Sequence, residues 1–259
     1  MTNGVIYVAT GPDYLELARA SAASLRATNP TLAIDIFTDD VGAADPGVFD
    51  QVHAVPKVHA RAKLDCLAVS RFERTLFLDA DTLVVGDLGD LFMLLDRFEL
   101  AMAHDVRRAS DLIQEGLVHA TPYAFPQLNS GVLLYRKSAK TDAFFAEWLR
   151  RFHQAGVARD QIILKDLLWE SDIRFYVLPP EFNLRRVTML DAWEPLDANV
   201  KIIHSHRLLQ HLGADGAARV CDLHSLTELE RLALSQEWTN LGQGKARLAD
   251  KISRFTQSR

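Results

Sequence analysis

The opening of the chain sets its architecture. Val5-Ile-Tyr-Val-Ala-Thr10 is a short apolar, β-rich run ended by Gly11-Pro12, which predicts a buried strand and a turn. A helix follows, with Leu17, Ala18, Ser21, Ala22 and Leu25 on its apolar face, Asp13 as its cap and Asn29-Pro30 as its stop. Ala33-Ile-Asp-Ile-Phe-Thr38 is a second strand. A strand-helix-strand start favours a parallel sheet, because the crossover packs back onto the sheet it came from. The alternation continues. Strands are expected over 51–55, 75–78, 100–103, 130–135, 175–178 and 200–204, and helices over 63–70, 88–96, 141–154, 161–170 and the C-terminal end. His104 to Gln127 is polar and irregular, and a loop that long in a compact domain is usually functional or mobile. No repeat, low-complexity tract or linker interrupts the pattern, so one α/β domain is expected.

Composition narrows the class. Of 259 residues, 48% are apolar and 24% charged, which excludes collagen-like, disordered and coiled-coil chains. The formal charge of −5 argues against binding nucleic acid through bulk charge. Cys66 and Cys221 make neither a disulfide framework nor a metal knuckle, so a reducing, cytoplasmic compartment is expected. The N-terminus lacks a basic region ahead of a long apolar run, and no apolar run is long enough to span a membrane. The tail over 245–259 is basic, with Leu248, Ile252 and Phe255 at helical spacing. It reads as a helix docked on the fold, or as a weak contact with the inner membrane surface.

The first chemical signal is Asp79-Ala80-Asp81, directly after the apolar run Thr75-Leu-Phe-Leu78. Residues i and i+2 of an extended chain face one side, so two such carboxylates can grip one divalent cation, or share a cation and a sugar hydroxyl. At the carboxyl end of a parallel strand they lie where α/β sheets bind ligands. A solvated turn is the plain alternative. Further polar residues end other runs. Lys63 opens a helix. Asn129-Ser130-Gly131 heads a strand, where glycine permits close approach of backbone to a ligand or simply turns the chain. Asp160-Gln161 starts a helix, with Asp160 either its cap or a site residue. His204 ends Ile202-Ile203, as a structural histidine or as the nitrogen of an O,O,N set suited to manganese.

These motifs, in this order, resemble the family 8 glycosyltransferases of the GT-A fold. That retaining group includes lipopolysaccharide galactosyl- and glucosyltransferases and glycogenin. The resemblance runs from about Val5 to His204. It implies a single Rossmann-like GT-A domain over 1–205, with a central, mostly parallel sheet flanked by helices, and a helical extension of it over 206–259. VATGPDY is similar to the strand-turn that holds uracil and ribose, implying contacts from Ala9, Thr10 and Tyr14. HARAKLDCLAVSRFERTLFLDADTLV resembles the central block, implying Lys63 and Ala80 as donor contacts and Asp79 and Asp81 as metal ligands. QLNSGVLLYRKS implies that Asn129 and Ser130 line the sugar pocket, and ARDQIILKDLLW that Asp160 and Gln161 flank the reactive carbon. PPEFNLR resembles a later F-N segment, and VKIIHSHR the strand whose histidine, here His204, is the third ligand of manganese or magnesium.

One departure stands out. The family usually continues H-x-x-G-x-x-K-P-W, with the lysine on the donor diphosphate, whereas this chain reads HSHRLLQHLG. Arg207, His206 or His211 would have to replace that lysine. The resemblance implies transfer of a hexose from a UDP-linked donor to a glycan or glycolipid acceptor, with retention. Three other readings stay open. In a haloacid-dehalogenase-type phosphatase the first aspartate is the nucleophile, but the last position of D-x-D-x-[TV] is here Leu83. A sugar-phosphate nucleotidyltransferase usually opens on a glycine-rich loop, which Ala-Thr-Gly-Pro is not. The third is a sugar-nucleotide-binding protein with a decayed site.

Overall fold

The structure is a computed structural model, and it describes residues 1–108, 110–125, 127–213, 219–220 and 222–240. The chain divides into two compact units. The first comprises Met1–Arg185 and Pro195–Ser205, the second Arg186–Glu194 and the residues from His206 onward.

The first unit holds β1 (Asn3–Ala9), α1 (Pro12–Thr28), β2 (Ala33–Thr38), β3 (Gln51–Ala54), α2 (Lys63–Cys66), β4 (Arg74–Leu78), β5 (Thr82–Val84), β6 (Leu100–Ala103), α3 (Asp111–Gln114), β7 (Val132–Arg136), α4 (Ala139–Ala155), α5 (Gln161–Glu170), β8 (Phe175–Leu178) and β9 (Ile202–His204). Seven strands form one sheet in the order β3-β2-β1-β4-β7-β6-β8. β7 runs antiparallel to both neighbours and the other pairs are parallel. The central strand β4 is apolar at successive positions because both its faces are covered. β5 and β9 make a separate antiparallel pair. Leu64, Leu67, Phe145, Trp148, Ile163 and Leu167 pack into one core against Phe77 and Leu133 of the sheet. In the second unit, α6 (Gln210–Gly213) precedes α7 (Leu223–Asn240), whose buried Glu230 accepts the Val187 N–H at 2.7 Å.

Most expected elements are present, with local differences. Asp13 does not cap α1. Gly11 does so at φ 82°, where a side chain would be strained, and Pro12 takes the first helical position. The helix expected over 88–96 is 3-10 and begins at Leu91. The Leu88 N–H goes to Asn29 Oδ1 at 2.8 Å and the Gly89 N–H to Asp87 Oδ1 at 2.9 Å, so side chains bind these backbone donors. The helix over 63–70 is one α turn followed by a 3-10 turn. β7 starts at Val132 because Asn129 Oδ1 accepts the Gly131 N–H and makes a turn before it. The segment expected to be an irregular loop, from His104, is strapped to α5. The buried ammonium of Lys165 reaches the Gln114 carbonyl, and Asp166 accepts the Val118 N–H at 2.8 Å. The tail over 245–259 lies outside the described residues. No described helix is long and apolar enough to cross a membrane.

Candidate functional site

Asp79-Ala80-Asp81 is the turn between β4 and β5, not an extended segment. Its shape is set from below. Thr82 Oγ1 donates to the Asp79 carbonyl at 2.8 Å and lies 2.6 Å from Ser21 Oγ, which lies 3.0 Å from the Tyr7 hydroxyl. The Asp79 N–H goes to the Gly131 carbonyl at 2.8 Å. The pairing of β5 with β9 puts Thr82 directly opposite His204. Residues far apart in sequence thereby meet: His204 Nε2 stands 3.1 Å from Asp81 Oδ1 and 3.9 Å from Asp79 Oδ2. Ligand atoms of all three lie within 4.8 Å of one another.

The other face of the imidazole is fixed. His204 Nδ1 is 2.9 Å from Asn183 Oδ1, and the Asn183 amide donates to Asn129 Oδ1 at 3.1 Å. An amide oxygen only accepts, so Nδ1 carries the proton and Nε2 is the nitrogen turned to the carboxylates. Gly131 is required beside them. A Cβ there would come within 2.1 Å of His204 Cε1 and 2.6 Å of Asp79 Oδ2. Burial pushes the Asp81 carboxyl up, but His204, Arg185 and a backbone hydrogen bond together outweigh it, and the group rests at about 2. Two carboxylates and an oriented imidazole, with the backbone cut back to glycine alongside, fit a divalent metal. A metal would take Nε2, the nitrogen that the Nδ1–H···Asn183 bond leaves facing the carboxylates.

A second group adjoins the first. Lys63 Nζ lies 3.4 Å from Asp79 Oδ1, 3.1 Å from Ser130 Oγ and 4.0 Å from Asp160 Oδ2. Ser130 Oγ donates to Asp160 Oδ2 at 3.2 Å, and Arg61 Nε lies 3.0 Å from Asp160 Oδ1. Asp160 makes no side-chain cap for α5, so its buried carboxylate is held by these partners instead. The Trp148 indole N–H donates to the Asp160 carbonyl at 2.9 Å. Gln161 donates to Asp105 Oδ2 at 3.3 Å and to the Leu128 carbonyl at 3.2 Å, and Asn129 donates to the same Asp105 oxygen at 3.4 Å.

Thus Lys63, Asp79, Asp81, Ser130, Asp160 and His204 converge, while Asn129 and Gln161 meet at Asp105. Tyr7 stands opposite Leu78, so Ala9 and Thr10 leave the sheet at the same edge as Asp79. Ala80 is buried, and Tyr14 is exposed on the first turn of α1. Arg207 belongs to the second unit. Sequence reading did not single out Arg61, Asp105 or Asn183. Asp105 had a legible signal, a carboxylate just past the apolar run Leu100-Ala-Met-Ala103, as at Asp79. Arg61 and Asn183 sit inside motifs already noted, HARAK and EFN.

Known proteins bear on this geometry. No family model matches the chain. The chain is 31% identical to human glycogenin-1 over 150 residues, which is 55% of this chain and 36% of that protein. Rabbit glycogenin-1 is likewise 31% identical, with 38% of its length matched. The chain therefore spans little more than a third of these relatives. Among solved structures, the galactosyltransferase LgtC in complex with donor and acceptor sugar analogs superposes with a TM-score of 0.56 at 18% identity, covering 92% of this chain and 99% of that one. The glycosyltransferase GlyE of Streptococcus pneumoniae gives 0.56 at 20% identity, covering 78% of this chain and 55% of that one. The fold is that of the GT-A glycosyltransferases, and the resemblance to the family 8 group read from the motifs holds.

Proposed function

We propose that this chain is a metal-dependent hexosyltransferase. It moves a hexose from a UDP-linked donor to a hydroxyl of a glycan or glycolipid, with retention of anomeric configuration. The convergence of Asp79, Asp81 and the oriented Nε2 of His204 carries this reading. The similarity to glycogenin-1 and the fold shared with LgtC support it.

Asp79, Asp81 and His204 would hold manganese or magnesium. When bound, that ion neutralises charge on the departing nucleoside diphosphate and so makes it a workable leaving group. The chain supplies the rest. Ala9, Thr10 and Tyr14 take the nucleoside, and Ala80, Asn129 and Ser130 take the sugar and its linkage. Lys63 places an ammonium beside Asp79, where the donor's negative charge is to be balanced. Asp160, held by Arg61 and Ser130, offers a buried carboxylate to the positive charge that grows at the anomeric carbon. Gln161 positions the sugar beside it. The acceptor hydroxyl attacks on the face the diphosphate leaves, and the departing phosphate takes its proton. The segment from His104 keeps water from the donor.

The test is release of UDP from a UDP-hexose with manganese present. Asp81→Asn should lower turnover at least about 100-fold, in line with removal of a principal electrostatic group, while circular dichroism stays unchanged. Undiminished turnover in that variant would sink the metal assignment. UDP binding without turnover in the wild type would point to the decayed-site reading.

A further inference from the structure

Away from the triad, three more metal-capable side chains close on one another. His59, Asp65 and His153 each offer one ligand atom, and these lie within 4.8 Å of one another. They come from separate places: the loop after β3, α2 and the last turn of α4. His59 Nε2 is 2.5 Å from Asp65 Oδ2, and the ring centroids of His59 and His153 are 5.5 Å apart. His59 and Asp65 are largely buried, at 19% and 15% side-chain exposure, and His153 is exposed. The cluster is thus open to solvent on one side, and a hydrated ion can reach it.

We propose that His59, Asp65 and His153 form a second metal site of zinc class. Two imidazoles and one carboxylate suit zinc, with water in the fourth position. The triad at Asp79 has the opposite balance, two oxygens to one nitrogen, and suits manganese. The present geometry is that of a site closed on a proton. His59 Nδ1 accepts the Arg61 N–H at 3.3 Å, so the ring proton sits on Nε2 and is given to Asp65. Ligand atoms around tetrahedral zinc stand roughly 3.4 Å apart, given bonds of about 2.0–2.1 Å. An entering ion therefore opens the His59–Asp65 pair by about 1 Å and draws His153 inward, adjustments within the reach of side-chain torsions.

Occupancy has a consequence for the neighbouring site. The proton displaced from Nε2 moves to Nδ1, which then ceases to accept the Arg61 N–H. Arg61 lies 3.0 Å from Asp160 Oδ1 and donates to the Ala158 carbonyl at 3.2 Å. Lys63 shares α2 with Asp65. Zinc would thus act on the loop and helix that carry both cations facing Asp160. That consequence rests on the transferase reading; the metal site itself does not.

The experiment uses tag-free full-length protein carrying Asp81→Asn and His204→Ala, which removes the triad. It is dialysed against micromolar zinc and its metal content is measured. One equivalent of zinc is expected. Adding His153→Ala, an exposed position whose loss leaves the fold intact, should weaken zinc binding about tenfold or more. Asp65→Asn should do the same without a change in side-chain volume. No zinc retained by the double variant, or equal affinity with and without His153, overturns the site. Manganese retained as well as zinc overturns the zinc-class assignment. Because the triad is absent throughout, none of these outcomes bears on the transferase proposal.

Discussion

His204 shows how much a single side chain depends on what it touches. Its Nδ1 proton goes to Asn183, and only then does Nε2 face Asp81 and Asp79. Partners that orient a metal-bound imidazole typically carry 10–100-fold in affinity. Asn183→Ala should therefore weaken manganese binding by roughly that factor, measured by calorimetry, while leaving both carboxylates in place. Unchanged affinity would return His204 to a structural role. Cys66 is the contrasting case. Burial, and to a lesser degree the charge of Asp65, pushes its thiol up to about 12. The thiolate is then almost absent at neutral pH. In a Cys221→Ser variant, native protein at pH 8 should not react with a thiol reagent, and denatured protein should react at once. Rapid labelling of the native form would mean that the Cys66 site opens.

At the scale of elements, the site is built where ends meet. β4 delivers Asp79 and Asp81, β9 delivers His204, and the pairing of β9 with β5 closes the distance between them. The buried Trp148 of α4 donates to the Asp160 carbonyl at the head of α5, and Gln161 of α5 reaches Asp105 and the Leu128 carbonyl. Trp148→Phe keeps an aromatic ring in the core but removes the indole donor, leaving that carbonyl with the Leu164 N–H at 3.1 Å. Loss of one such hydrogen bond costs about 0.5–1.5 kcal/mol, to which the lost indole volume adds. The urea midpoint should fall with the slope unchanged. A midpoint equal to the wild type would show that the indole bond adds no net stability. α4 also shows local rules at work, with Ser138 accepting the Thr141 N–H at its start and Gly156 in the left-handed region at its end.

For the whole molecule, ligand linkage gives the broadest test. A ligand that binds only the folded state stabilises it by about 2.7 kcal/mol at a hundred times its dissociation constant. For a protein of this size that corresponds to a rise in Tm of roughly 5–10 °C. UDP with manganese should produce such a rise, and UDP after chelation of metal should produce much less. Equal shifts in both conditions would separate nucleotide binding from the Asp79 triad. Other nucleoside diphosphates, run in parallel, test the uracil assignment.

The sequence by itself determined the alternation of strands and helices, the largely parallel sheet and the edge at which Asp79 and Asp81 emerge. These follow from local patterns: apolar runs, glycine and proline stops, and a carboxylate just past a buried strand. It left helix type and caps less certain, because side chains distant in sequence, such as Asn29 at Leu88, decide which backbone donors are already bound. Only the tertiary structure decided that Asp160 is held by Arg61 and Ser130 instead of capping its helix. It alone placed the Asn183 oxygen on His204, required glycine at 131, and gathered His59, Asp65 and His153. The physical reason is common to all of these. Each is a contact across a long stretch of chain, fixed by strand pairing and helix packing, and neither periodicity nor spacing encodes which distant atom will arrive.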